Sequence, residues 1–169
     1  MVGQLLKLNA NTFTPTDANL IPTGRFAPVA RTPFDFRRLH PIGQYILRAD
    51  KPWGSQLTMA HGYDENWVLN GARGAMKLAA ITVDPKSGRE VIANTTEPGV
   101  QVYTGNFLVG DLVGTSGHVY RQTSGFTLET QHYPDSPHHI GQAGWPSVVL
   151  DPGQTFSSST TYRFTVAKR

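Results

Sequence analysis

The sequence predicts an all-β protein built as an antiparallel β-sandwich, and three observations carry that expectation. Where the pattern is clear, apolar side chains recur with a period of two rather than 3.6. Glycine and proline, 17 and 12 of the 169 residues, are spread along the chain and leave long helices almost no room. The apolar runs are short and separated by turn signals, the spacing of packed antiparallel sheets.

Residues 5–10 (LLKLNA) open the chain as a strand. Residues 11–66 read as a long, mostly irregular excursion punctuated by Pro15, Pro22, Pro28, Pro33, Pro41 and Pro52, with room for one short helix around 39–46. Residues 76–83 and 89–96 are β-rich runs joined by Asp84-Pro85-Lys86-Ser87-Gly88, where Pro presets φ and Gly permits a positive one, so they predict a hairpin. Residues 99–108, 125–132 and 147–150 predict further strands. In the closing stretch Phe156, Ser158, Thr160, Tyr162, Phe164 and Val166 alternate with polar neighbours, the pattern of a half-buried strand.

A chain of this length fits one domain, and 38% apolar with 10% aromatic residues is enough to build a core. Fifteen Lys and Arg against twelve Asp and Glu leave a formal charge of +3. No stretch gathers four or five cations on one face, so nucleic acid is not an expected partner. The absence of cysteine excludes disulfides, thiolate metal sites and cysteine nucleophiles, and suits a reducing compartment. Gln4, Lys7 and Asn9 interrupt any secretory core, and no run approaches the ~18 apolar residues of a membrane span. A soluble, cytoplasmic protein is expected, with no membrane contact.

Three clusters place polar groups among aromatics. In HGYDENWVL (61–69), Asp64 is either a turn residue or a binding group. In EPGVQVYTGNFL (97–108), Gln101 lies within a strand, and its amide faces solvent, a partner or a ligand. In GFTLETQHYPDSPHH (125–139), Glu129 is either a solvent-face residue or a functional carboxylate walled by Gln131, His132 and Tyr133. Such walls suit a sugar, whose C–H faces stack on rings and whose hydroxyls seek carboxylate and amide partners. His61, Asp64, His132, His138 and His139 have metal-donor chemistry but no recognised ligand spacing, so no metal site is expected.

A series of motifs in order along the whole chain resembles the C-terminal half of the aldose 1-epimerase, or galactose mutarotase, family: FTPTDANLIPTG (13–24), TPFDF (32–36), HGYDENWVL (61–69), DPKSGRE (84–90), EPGVQVYTGNF (97–107), LETQHYPDSP (128–137) and WPSVVLDPGQTFSSSTTYRF (145–164). The resemblance implies a partial copy of that family's large β-supersandwich, with residues 1–169 as the C-terminal part of the domain. It implies Glu129 as general base and Asp64 and Gln101 as substrate-binding residues. The implied activity interconverts the α and β anomers of hexoses such as glucose and galactose, with no cofactor. The family's general-acid histidine sits in an Asn-His-x-Tyr-Phe-Asn-Leu motif that this chain does not contain. The chain is therefore expected to be either a fragment or truncated gene product, or one that pairs, beside the hexose, with a second chain supplying the N-terminal half. The alternative reading is a non-catalytic carbohydrate-binding β-sandwich that keeps Asp64, Gln101 and Glu129 without proton transfer.

Overall fold

The computed structural model describes residues 1–46, 48 and 50–167. Its strands are β1 (Leu5–Leu8), β2 (Ala10–Thr14), β3 (Ala27–Pro28), β4 (His40–Pro41), β5 (Asp64–Leu69), β6 (Lys77–Val83), β7 (Arg89–Thr95), β8 (Gly99–Tyr103), β9 (Val109–Val113), β10 (Val119–Arg121), β11 (Thr127–Gln131) and β12 (Thr160–Val166). One five-stranded sheet runs β12-β7-β6-β1-β4 and the other β11-β8-β5-β2-β3, while β9 and β10 form a separate hairpin. Every pairing is antiparallel. The expected all-β fold is what the chain adopts.

Both sheets contribute to one apolar cluster, with Leu6 and Leu8 from the first and Phe13, Trp67, Val100 and Val102 from the second. The TPFDF segment is pinned into it. Phe34 stacks on Phe13 at 4.4 Å, its carbonyl accepts the Trp67 indole N–H at 3.0 Å, and the Pro33 carbonyl accepts the Tyr63 hydroxyl at 2.8 Å. The sheets also join at their edges. The Thr160 hydroxyl meets Thr95 at 2.9 Å and Thr130 at 2.7 Å, and the Tyr162 hydroxyl donates to the Leu128 carbonyl at 3.2 Å. Strand β12 thus fastens β11, which otherwise pairs only with β8.

The hairpin at residues 84–88 forms as expected, with Gly88 at φ +73° and the Asp84 carboxylate accepting from Ser87 N–H at 3.2 Å. Other expectations change. The opening strand is two strands parted at Asn9, whose amide donates to the Leu78 carbonyl at 3.0 Å as the chain passes from one sheet to the other. The expected short helix is only a 3-10 turn (Ile42–Gln44), and the true helix α1 (Gly54–Met59) lies later. It is too short to show a helical period in sequence, and Gln56 anchors it by accepting from Thr16 N–H at 2.7 Å. Residues 147–150 are exposed and pair with no strand. The closing strand starts at Thr160, and its apolar face is not half-buried: Tyr162, Phe164 and Val166 are 47%, 77% and 65% exposed. At the sheet edge, alternation separates two faces but supplies no cover. Among the described residues no helix is long and apolar enough to cross a membrane.

Candidate functional site

Asp64, Gln101 and Glu129 come from β5, β8 and β11, three neighbours in the second sheet. Register decides how they meet. Gln101 pairs with Asn66 on one side and Glu129 on the other, and Asp64 pairs with Tyr103. Because alternate residues share a face, Asp64, Asn66, Gln101, Tyr103 and Glu129 form one patch. The Gln101 amide donates to Asp64 Oδ1 at 2.9 Å, and Glu129 Oε1 accepts the Thr127 hydroxyl at 2.7 Å. The carbonyl oxygens of Gln101 and Asn66 are buried without a hydrogen-bond partner among the described residues.

The turn that presents Asp64 is held by the TGN segment after β8. Thr104 Oγ1 accepts Tyr63 N–H at 2.9 Å, and the Asn106 amide donates to the Tyr63 carbonyl at 2.9 Å. A Cβ on Gly62 would collide with both side chains, so only glycine permits this approach. Gly99 plays the same part beneath Asn66 and Tyr133.

The sequence profile of the family described as "Aldose 1-epimerase" matches residues 3–163. The chain belongs to the aldose 1-epimerase family. It is 40% identical over 158 residues to galactose mutarotase of Rattus norvegicus, covering 94% of this chain and 42% of that protein. It is 32% identical over 161 residues to aldose 1-epimerase of Escherichia coli K12, covering 94% and 44%. A solved galactose 1-epimerase from Lactobacillus acidophilus superposes with a TM-score of 0.74 at 27% identity, covering 99% of this chain and 45% of that one. A solved aldose epimerase homologue from C. elegans gives a TM-score of 0.76 at 23% identity, which speaks to the fold. The chain spans less than half the length of these relatives.

In this aldose 1-epimerase family chain the electrostatics of the patch follow from burial. Burial raises the Asp64 carboxyl above the ordinary aspartate value, the Gln101 hydrogen bond pulls it back, and the Glu129 charge adds to the rise. Its neighbour Glu65 points to the opposite face, into the core, where burial pushes it up to about 8. Among the described residues only the Asp64 backbone N–H partners it, at 2.8 Å on Oε2, and Oε1 has no partner.

The expected wall around Glu129 is built differently. Of Gln131, His132 and Tyr133, only Gln131 shares the alternation of Glu129 along β11. His132 Nδ1 lies 2.7 Å from the buried Glu97 carboxylate, and Tyr133 is buried against Phe26 and Trp145. The aromatic rim instead stands at the Asp64 end, where Tyr103 stacks on the exposed Phe107 at 6.4 Å and His61 meets the same ring at 6.0 Å. His138 pairs with Asp135 and His139 with Gln142, and no three acidic or histidine side chains among the described residues group as metal ligands. Thr104, Asn106, Asn66 and Glu65 sit within the quoted motifs, but nothing in the spacing marked their side chains.

Proposed function

We propose that the chain is the C-terminal part of an aldose 1-epimerase domain and carries the base side of hexose mutarotation. In this reading Glu129 takes the proton from the C1 hydroxyl of a glucose or galactose ring. An acid protonates the ring oxygen, and the C1–O5 bond breaks to the open aldehyde. Rotation about C1–C2 and the reverse proton transfers close the other anomer, with no net change in composition or oxidation state. Asp64 and Gln101 hold ring hydroxyls so that this geometry is reached. The acid comes from the N-terminal half of the domain, and the cysteine-free sequence suits cytoplasmic work.

The observation that carries the reading is the Asp64–Gln101–Glu129 row, three hydroxyl- and proton-handling groups on adjacent strands with the Gln101 amide already bonded to Asp64 at 2.9 Å. Polarimetry of α-glucose and α-galactose tests it, with the chain alone and mixed with the N-terminal half of a family member. The mixture should restore mutarotation well above either part. A sugar-dependent rise in melting temperature without rate in any mixture would instead make the chain a carbohydrate-binding domain.

A further inference from the structure

The cations that are scattered in sequence are gathered by the fold. Arg31, Arg37, Arg38, Arg48 and Lys51 line one cleft of about 1010 Å³, beside the β4 edge of the first sheet and on the opposite sheet from the Asp64 patch. No single stretch of sequence gathers them; the fold brings them together across residues 31–51.

Two of the five are neutralised in place. Arg37 makes a bidentate pair with Asp35, both bonds 2.8 Å, and Arg48 makes one with Asp50, both 2.7 Å. Among the described residues Arg31, Arg38 and Lys51 make no ion pair. These three unpaired charges line the same concavity, which gives it a local excess of positive charge. Concave walls focus a field, and guanidinium groups prefer oxyanions that accept two bonds at once. The cleft also offers flat surfaces: His40 is stacked on Phe36 at 4.5 Å, and Tyr45 stands edge-on to it at 5.8 Å. Arg31 holds φ +62°, an unusual conformation for a residue with a side chain.

We propose that this cleft is a second binding site, which takes a small phosphate ester through Arg31, Arg38 and Lys51 with its ring against His40 and Tyr45. A phosphate ester supplies the double negative charge and the several acceptor oxygens that three cations lining one cleft match. The charge fills one pocket rather than running as a stripe, which fits a small molecule better than a nucleic acid.

Isothermal titration of the full chain at about 50 mM salt tests this with pyrophosphate, glucose 6-phosphate and ADP as probes and glucose as the uncharged control. Expected is saturable binding of at least one phosphate probe at one per chain, weakened about tenfold or more in Arg31→Glu/Arg38→Glu, where two attractions become repulsions. The charge-matched control, Arg89→Glu/Arg163→Glu, lies on β7 and β12 at the other end of the sheet from β4 and should bind like the parent. Tighter binding of ADP assigns a nucleotide, tighter binding of glucose 6-phosphate a sugar phosphate, and equal binding a site that reads phosphate alone. No saturable heat from any phosphate at about 1 mM would overturn the proposal. So would equal affinity in Arg31→Glu/Arg38→Glu, or a loss of the same size in Arg89→Glu/Arg163→Glu. Should the double variant not fold, the single surface variant Arg38→Gln gives the same reading with a smaller loss.

Discussion

The backbone N–H of Asp64 donates to Oε2 of Glu65 at 2.8 Å, so two consecutive carboxyl groups lie on opposite faces of one strand, joined through a single peptide. One faces the patch shared with Gln101 and Glu129, and the other is sealed in the core. Sealing a carboxyl without a cation favours its neutral form, which is why Glu65 is held at about 8.

That shift fixes the sign of a stability profile. With a folded value of about 8 against an ordinary 4.5, the folded state holds a proton that the unfolded state has released across that window. The contribution of Glu65 to stability is therefore complete below about pH 4.5 and is lost as pH rises toward 8, by up to roughly 5 kcal/mol. In Glu65→Gln this loss should vanish, so the variant gains on the parent as pH rises. Urea denaturation at intervals from acid to mildly alkaline pH measures it, and parallel profiles for the two proteins would refute the buried neutral carboxyl.

Asn106→Ala removes the amide that holds the Tyr63 carbonyl and the acceptor that orients Thr104. Buried polar partners of this kind are worth about 1–3 kcal/mol. The denaturation midpoint should fall accordingly. Affinity for galactose should weaken with it, because the turn presenting Asp64 loosens. A variant as stable as the parent would mean that Thr104 alone suffices.

Glu129→Gln keeps the shape of the proposed base and removes its acceptor charge. In the mixture with an N-terminal half it should lower the mutarotation rate by roughly 10²–10⁴-fold while leaving sugar binding in place. Asp64→Ala should instead weaken binding and rate together. Full activity in Glu129→Gln would remove the carboxylate from the mechanism.

The isolated chain should self-associate. Tyr162, Phe164 and Val166 on β12, with Val109, Leu112 and Val113 on the β9–β10 hairpin, leave apolar surface open on two parts of the fold. Phe164→Lys and Val109→Lys together should shift sedimentation toward monomer at equal concentration. A parent already monomeric at tens of micromolar would contradict this, the range being about that of weak apolar contacts.

Much of the architecture was legible in the sequence because its signals are local. A period of two, the Asp84–Gly88 turn and the breakers between runs act within a few residues, so β6 to β8, β11 and the fold class follow from them. The helix Gly54–Met59 was not legible, since six residues carry too little period and its stability comes from Gln56 bonding to Thr16, 40 residues away. The motifs marked Asp64, Gln101 and Glu129 one by one. Only pairing register put Gln101 opposite Glu129 and Asp64 within hydrogen-bond reach, because a slip of one residue would turn any of them to the other face. Tertiary structure alone also decided that Glu65 enters the core beside Asp64, that the apolar face of β12 lies open, and that five scattered cations share one cleft. Composition states how much charge and apolar surface a chain has; which of it is buried, covered or gathered depends on long-range packing that short-range patterns do not encode.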